Sequence, residues 1–499
     1  MVARVVNPGG PADGAPNAAD RADARCPGAV HAIAARDGLL VRVRVPGGLL
    51  GAPALAALAS AAERYADGNL DLTARASVQL RGVRPDHLMA LGDALVSAGL
   101  LPSIAHDRVR NIVASPFAGV DRAECIDPRP VVYALSVGLV ADPVLAALPA
   151  KFAFVVDGGG RPFPSSRPDI ALRALATPNG PRFHVVLGGA ATGHIFLPGT
   201  APAVALSVAR ASLAAATATG ETETWRLGSA SPSVRAAARA ALHRFPSSTA
   251  TVGGEAIAAI EERKYANGAI HDGTYAAHAI RGKYAPEQTS ARGFVVPLGL
   301  LATRDPLQLT VVPSVPLGRL TAPQARGAAA LAGSVGADVR LGWWRGFVLA
   351  NVPHATAATV VAELARLGLP CDRRDGFVGL AACAGRAGCG AALADVRSDA
   401  VEFARSIARR RTGGWSANFA GCSKRCAMRR GASVDLVATK RGYDVLLYGS
   451  IVRRHASADD ALAFALRCAE DAARAHDERR ARAGELAGDP AALSSDLFV

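Results

Sequence analysis

Apolar and polar positions along this chain follow a pattern that runs through twice. The stretch Arg44-Val45-Pro46-Gly47-Gly48-Leu49-Leu50-Gly51-Ala52-Pro53 returns as Ser314-Val315-Pro316-Leu317-Gly318-Arg319-Leu320-Thr321-Ala322-Pro323. An alanine- and leucine-rich segment of helical period follows each, at 53–66 and 323–335. Next come Leu72–Val83 and Leu341–Leu349, which alternate apolar and polar residues near their ends as a half-buried strand does. A second helical segment ends at Ser97–Leu100 and again at Ala365–Leu369, and the offset stays near 270 residues throughout. Strand–helix–strand–helix twice over predicts two α+β half-domains of ferredoxin-like character.

Each half-domain leads into a longer α/β segment. Asp169–Leu172 with Phe183–Gly189, and Val434–Val437 with Tyr443–Gly449, read as hairpins entering alanine-rich helices at about 200–218 and 457–477. The chain thus divides into a disordered leader (1–24), a half-domain (25–104), an α/β domain (105–243), a connection (244–292), a second half-domain (293–372), a second α/β domain (373–477) and a tail (478–499). The fold class is α+β, internally duplicated, with a pseudo-two-fold axis.

Composition narrows the function classes. Half of the residues are apolar and 20% charged, which fits globular folding and excludes a largely disordered chain. The longest apolar run, Val131–Ala141, is short of the roughly 20 residues that span a bilayer, and Met1–Asp23 lacks the apolar region of a signal peptide. A soluble, cytoplasmic protein with no membrane partner is expected. The net charge of +14 points to an anionic partner. Nucleic acid fits it poorly, because aromatics make only 5% and no basic run interleaves them. An acidic protein or a polycarboxylate ligand remains.

Eight cysteines in 499 residues are too few for a disulfide scaffold, but four fall into two tight pairs, Cys383-x5-Cys389 and Cys422-x3-Cys426. Four thiolates suit zinc or an iron–sulfur cluster. Neither pair has the C-x2-C knuckle of a zinc ribbon. The small, glycine-containing loop Ala384–Gly388 can wrap a bulky cubane, so a 4Fe–4S cluster is favoured. Where the second copy has Ala381-Ala382-Cys383-Ala384-Gly385, the first has Val113-Ala114-Ser115-Pro116-Phe117-Ala118-Gly119. One site on a two-fold scaffold follows. Cys26, Cys125, Cys371 and Cys468 read as ordinary buried thiols. His271 and His278, with Asp272, are the candidates for a mononuclear non-haem iron. Gly188–Gly193 is not a dinucleotide turn, so electrons from NADH would need a separate reductase.

These motifs together resemble the sulfite and nitrite reductase family over roughly residues 26–470. Leu72-Thr73-Ala74-Arg75 is similar to that family's T-x-R strand, Arg110-Asn111-Ile112-Val113 to its R-N-V/I segment and Leu148-Pro149-Ala150-Lys151-Phe152 to its L-P-x-K-F/W. The resemblance implies cations around a sirohaem and its anion, with the last cysteine of the x3 pair bridging cluster and sirohaem iron. Other details resemble a sister branch, the precorrin-3B synthases. Ala420-Gly421-Cys422-Ser423-Lys424-Arg425-Cys426-Ala427 is similar to their S-G-C-A-K-G-C-A, with Ala420 and Arg425 as departures. Ala382–Cys389, Arg25-Cys26-Pro27-Gly28, Asp37–Arg44 and Trp344-Arg345-Gly346 match that branch too. Two positions after Lys151, sulfite reductases carry a second lysine and nitrite reductases an asparagine; here it is Ala153.

The branch resemblance implies an O2-dependent monooxygenase of cobalamin biosynthesis that hydroxylates precorrin-3A and closes a γ-lactone. Its electrons would come from NADH through a reductase, or from ferredoxin or flavodoxin. Arg42, Arg44, Arg75, Arg81, Arg110, Asn111 and Lys151, with Arg108 beside them, would line the tetrapyrrole site, since bidentate arginine suits carboxylates. Cys383, Cys389, Cys422 and Cys426 would hold the cluster. The alternative readings are a sirohaem-dependent sulfite or nitrite reductase and a non-catalytic iron–sulfur or sirohaem carrier.

Overall fold

The structure is a computed structural model, and it describes residues 4–6, 26–161, 168–221, 225–246, 298–408, 415–428 and 432–487. The first half-domain holds β1 (Arg4–Val6), β2 (His31–Ala35), β3 (Gly38–Val43), α1 (Ala52–Tyr65), β4 (Asn69–Leu72), β5 (Val78–Val83) and α2 (Leu88–Ser97). The first α/β domain has β6 (Ile112–Ala114), α3 (Arg129–Ala141), β7 (Phe154–Asp157), β8 (Ile170–Leu175), β9 (Arg182–Leu187), β10 (Ala190–Phe196), α4 (Ala201–Ala218) and α5 (Pro232–Ala240). The second half-domain has β11 (Gly299–Ala302), β12 (Gln308–Val312), β13 (Arg319–Thr321), α6 (Ala322–Ser334), β14 (Asp338–Gly342), β15 (Gly346–Pro353) and α7 (Ala357–Arg366). The second α/β domain has β16 (Leu380–Ala382), α8 (Gly385–Gly388), α9 (Val396–Ile407), β17 (Ala417–Ala420), β18 (Val434–Thr439), β19 (Gly442–Leu447), β20 (Ser450–Ala456) and α10 (Ala458–Ala487).

Cys125, expected to be a buried thiol, is exposed, and three expectations about the elements need correction. The segment 1–24 is not all disordered leader, because Arg4–Val6 pairs in parallel with His31–Ile33. Leu72–Val83 and Leu341–Leu349 are not single strands. Each is a hairpin, with Leu72 opposite Val78 and Leu341 opposite Phe347. The last helix runs on to Ala487, so the boundary at 478 falls inside it. Most of the 244–292 connection, with His271, Asp272 and His278, lies outside the described residues.

Both half-domains order their strands alike, as β2-β3-β5-β4 and β11-β12-β15-β14. Alternation explains the faces. Leu39, Val41 and Val43 of β3 turn to the helices, while Arg42 turns to the other side. Helices α1 and α6 pack on each other through Leu55, Leu58, Ala59 and Ala325, Ala328, Ala329, so the two half-domains share one core. Small side chains let those helices approach closely. Thr321 starts α6 with a capping box, its hydroxyl accepting from the Gln324 N–H while Gln324 reaches back. Strand β13 adds to β4 of the other half, and reciprocally Leu49 bridges to Arg340 of β14.

The α/β domains repeat the exchange. Their sheets run β10-β9-β8-β7-β6 and β16-β17-β18-β19-β20, each with the first three strands in chain order parallel and the last two antiparallel. One face of the first sheet lies on its helices; the other, through Val113, Val155, Ala171 and Val186, lies on Leu301, Val312, Val348 and Ala350 of the second half-domain. The second α/β domain is tied to the first half-domain by polar bonds, Arg81 donating to the Gly388 carbonyl and Arg397 to Asp71. Helix α4 is the one described helix long and apolar enough to cross a membrane, and here it packs in the domain core through Val204, Val208 and Leu213.

Candidate cluster and anion site

The parallel pairing of β16 with β17 brings two chain ends out at one edge. Cys383 follows β16 directly and Cys422 stands two residues beyond β17. Backbone bonds lace the loops together: Cys383 N–H to the Phe419 carbonyl at 3.1 Å and Leu393 N–H to that of Gly421 at 2.8 Å. The Gly421 N–H points at Cys383 Sγ, 3.2 Å away. A Cβ on Gly421 would stand 2.7 Å from Ala392 Cβ, so only glycine fits there. Cys389 N–H closes onto Gly385, and Arg425 N–H onto the Cys422 carbonyl. Cys383, Cys389 and Cys422 are half-buried and Cys426 is exposed at the rim.

These residues fit an iron–sulfur group: soft ligands on two interlocked loops, with a backbone N–H aimed at sulfur. Among the described residues no three His, Cys, Asp or Glu side chains stand close enough for a single metal ion.

Arg425 has φ 45°, the left-handed region, and this is where the related motif carries glycine. Its guanidinium is held by Asp435 at 3.2 Å, while the buried Asn418 donates to the other Asp435 oxygen at 2.7 Å.

Beside the loops lies the outer face of the first half-domain sheet. Thr73 explains the T-x-R motif: its hydroxyl accepts from the N–H groups of Arg75 and Ser77, closing the hairpin that presents Arg75. Arg42 stands on β3 within electrostatic reach of Arg75 and Arg345. Burial, then Arg75, pulls its pKa down to about 10, so it stays cationic at neutral pH. The Gln79 amide oxygen, turned toward Arg42, accepts from its Nη2 at 2.7 Å. Three arginines gathered this way make this face strongly cationic.

Several residues expected at that site do something else. Arg44 is 3% exposed and is consumed by Asn111 Oδ1 at 2.7 Å and the carbonyls of Pro27 and Asp107. Asn111 in turn donates to the carbonyls of Ala150 and Phe152, both at 3.0 Å, which flank the exposed Lys151. Arg44 and Asn111 are braces for the Lys151 loop, not contacts. Arg81 pairs with Asp37 at 2.7 Å and donates to the Gly388 carbonyl, tying the cysteine loop to β5. Arg110 is buried and donates to the Leu100 carbonyl at 3.3 Å. Arg108 lines a separate open crevice with His31, Ile104 and Leu148. Ala153 is buried, and its N–H donates to Asp169. Gly188 and Gly189 make the β9–β10 hairpin turn rather than a strand-to-helix turn.

Sequence reasoning missed Asp37, Gln79 and Asn418 as site residues, and treated Arg345 only as part of a motif. Arg345 donates from Nη2 to the Cys426 carbonyl at 3.0 Å. The signal was present: the Trp344-Arg345 turn copies the Arg75-Ala76 turn, and both Ala76 (φ 51°) and Arg345 (φ 62°) are left-handed. In the first copy the equivalent of the cysteine loops is filled. Ser115 Oγ accepts from Phe117 N–H, and Asp121 accepts from the N–H groups of Ala123 and Arg161.

Comparison with known proteins agrees with this architecture. Residues 31–98 and 302–367 match the nitrite/sulfite reductase ferredoxin-like half domain, and residues 105–236 match the nitrite and sulphite reductase 4Fe-4S domain. The matches together take in more than half of the chain, which belongs to the nitrite/sulfite reductase family. The 4Fe-4S match falls on the copy without the cysteine pairs. Over most of its length the chain is similar to the precorrin-3B synthase of Sinorhizobium sp, at 29% identity over 85% of this chain and 83% of the relative. The ferredoxin–nitrite reductase of Synechococcus elongatus is 36% identical, over 24% of this chain and 25% of its own. The Mycobacterium tuberculosis NirA protein has the same fold, with a TM-score of 0.61 at 20% identity, covering 86% of this chain and 80% of that one.

Proposed function

We propose that this protein is an oxidoreductase of the precorrin-3B synthase type, a monooxygenase that takes precorrin-3A as substrate and O2 as co-substrate and forms a hydroxylated γ-lactone. The observation that carries the reading is the cationic face of Arg42 and Arg75 beside the cysteine loops, joined to a likeness that spans the chain. A macrocycle edged with acetates and propionates needs fixed cations, and desolvated guanidinium–carboxylate contacts are worth about 1.5–3 kcal/mol each. Arg42, oriented by Gln79, and Arg75, presented by the Thr73 turn, would bind and orient two such carboxylates. The Arg44–Asn111 brace would hold Lys151 toward a third. A 4Fe–4S cluster on Cys383, Cys389, Cys422 and Cys426 would supply single electrons, drawn from a ferredoxin- or flavodoxin-type donor or from NADH through a reductase. Ala153 favours this over inorganic oxyanion reduction, since a methyl group can neither neutralise an oxyanion nor deliver a proton.

The test is an anaerobic incubation of the purified protein with precorrin-3A and a reductant, followed by admission of O2. Oxygen-dependent appearance of a product heavier by one oxygen atom is expected. A stoichiometric Soret band, with turnover of sulfite or nitrite, would overturn the assignment in favour of a sirohaem reductase.

A further inference from the structure

We propose that Arg345 is a positioning residue that fixes the Cys426 loop beside the cationic face and raises the reduction potential of the cluster. The inference rests on the cluster reading above.

An arginine in the left-handed region is costly, and such outliers persist where surrounding structure holds them. The turn does not require a long side chain there, because its counterpart Ala76 takes the same conformation with a methyl group. The side chain runs over Gly318, where an added Cβ would stand 2.6 Å from Arg345 Cβ and 3.2 Å from its Cδ. Its guanidinium ends at the Cys426 carbonyl, 3.0 Å from Nη2. The guanidinium also lies within electrostatic reach of the Cys383 and Cys426 sulfurs, one from each cysteine loop, and of Asp71. Burial disfavours its charge, and those anionic neighbours retain it.

Two consequences follow from elementary electrostatics. A fixed cation beside thiolate ligands stabilises the more negative, reduced form of a cluster and so raises its potential. A hydrogen bond to the Cys426 carbonyl also holds the most exposed of the four cysteines in one orientation, where water would otherwise compete for it. Arg81 braces the other loop at Gly388 but is already neutralised by Asp37, so its charge acts less on the cluster.

The experiment uses the full chain, purified and reconstituted without oxygen, as wild type, Arg345→Gln and Arg345→Lys. Iron and sulfide are counted, and the reduced cluster is followed by electron paramagnetic resonance in a potentiometric titration. The expected result is full iron content in all three, a more negative midpoint in Arg345→Gln, and recovery of most of that shift in Arg345→Lys. An intact cluster with an unchanged midpoint in Arg345→Gln overturns the assignment. Equal loss of cluster from both variants, with unchanged circular dichroism, overturns it too, since a brace without an electrostatic role predicts that. A wild-type protein that takes up no iron overturns the cluster reading itself, and this inference with it.

Discussion

At the contact between the first α/β sheet and the second half-domain, Val312, Val348 and Ala350 meet Val113, Val155, Ala171 and Val186. The strand registers place Arg42, Gln79 and Arg81 at the equivalent positions of the other half-domain, and Ala381, Asn418, Asp435 and Leu446 at those of the second sheet. Arg75 corresponds to Trp344, which stacks on Phe117 at 6.1 Å and is folded over Gly342 and Gly346. One interface is therefore dry and closed by aromatic rings, while its twin is polar and bears the cysteines. A duplicated fold needs only one of its two junctions for chemistry, and the other is free to become core. Apolar burial at about 25 cal/mol per Å² then lets the dry junction hold the four segments together while the polar one forgoes that stabilisation.

The largest effect that would break the comparison lies in the cysteines. Changing any one of Cys383, Cys389, Cys422 or Cys426 to Ala should remove the cluster and all activity, because an open corner of a cubane is exposed to oxidation. Cys125→Ala or Cys468→Ala should leave iron and sulfide at wild-type levels. Retention of four irons in Cys422→Ala would refute the ligand set.

A reciprocal exchange sharpens the contrast at intermediate scale. Val348→Arg puts an uncompensated charge into the dry junction and should cost about 3–5 kcal/mol in denaturant unfolding. Its mirror, Arg42→Val, removes a cation that burial already disfavours, so stability should stay level or rise. Binding of a tetrapyrrole polycarboxylate should nonetheless weaken roughly ten- to a hundredfold, the loss of one charge-assisted contact. Equal stability costs for the two variants would mean that both junctions are simply core.

The duplication, the helices and the hairpins into α4 and α10 were legible in the chain, because period and repeated motifs report directly on which face of an element is buried. The two interlocked cysteine loops were legible for the same reason, since spacing survives folding. The division of labour among the arginines was not. Arg44 and Arg81 are spent on backbone carbonyls of Asp107 and Gly388, and nothing local to either arginine announces a partner so distant in sequence. Arg42, one strand position from Val41 and Val43, turns to the opposite face and stays cationic. Burial pattern separates inward from outward; it does not separate a brace from a contact. The hairpin at 73–77 was hidden because its turn is built by a threonine hydroxyl and a left-handed alanine, without the Asn-Gly or Gly-Gly that usually marks such turns.

The smallest predicted effect concerns Arg425, which stands where the related loop has glycine. Arg425→Gly releases a left-handed non-glycine residue, worth about 1–2 kcal/mol to the folded state. The same change strips Asp435 of its ion pair, leaving a carboxylate 4% exposed that still accepts from Asn418. Burial raises the Asp435 pKa, with Asn418 and Arg425 opposing, so a protonated Asp435 favours folding and that contribution is lost as pH rises through the folded pKa. Without Arg425 the carboxyl should titrate higher still. At pH 7 the lost pairing and the relieved strain therefore nearly cancel, and the variant should unfold within about 1 kcal/mol of wild type. In acid the neutral Asp435 no longer needs a cation, and the strain term stands alone. Arg425→Gly should then be the more stable protein, a reversal that denaturant titrations at pH 7 and at a pH below the ordinary carboxylate range would detect. A variant less stable than wild type by the same margin at both pH values would show that Arg425 holds the cysteine loop through packing, not charge.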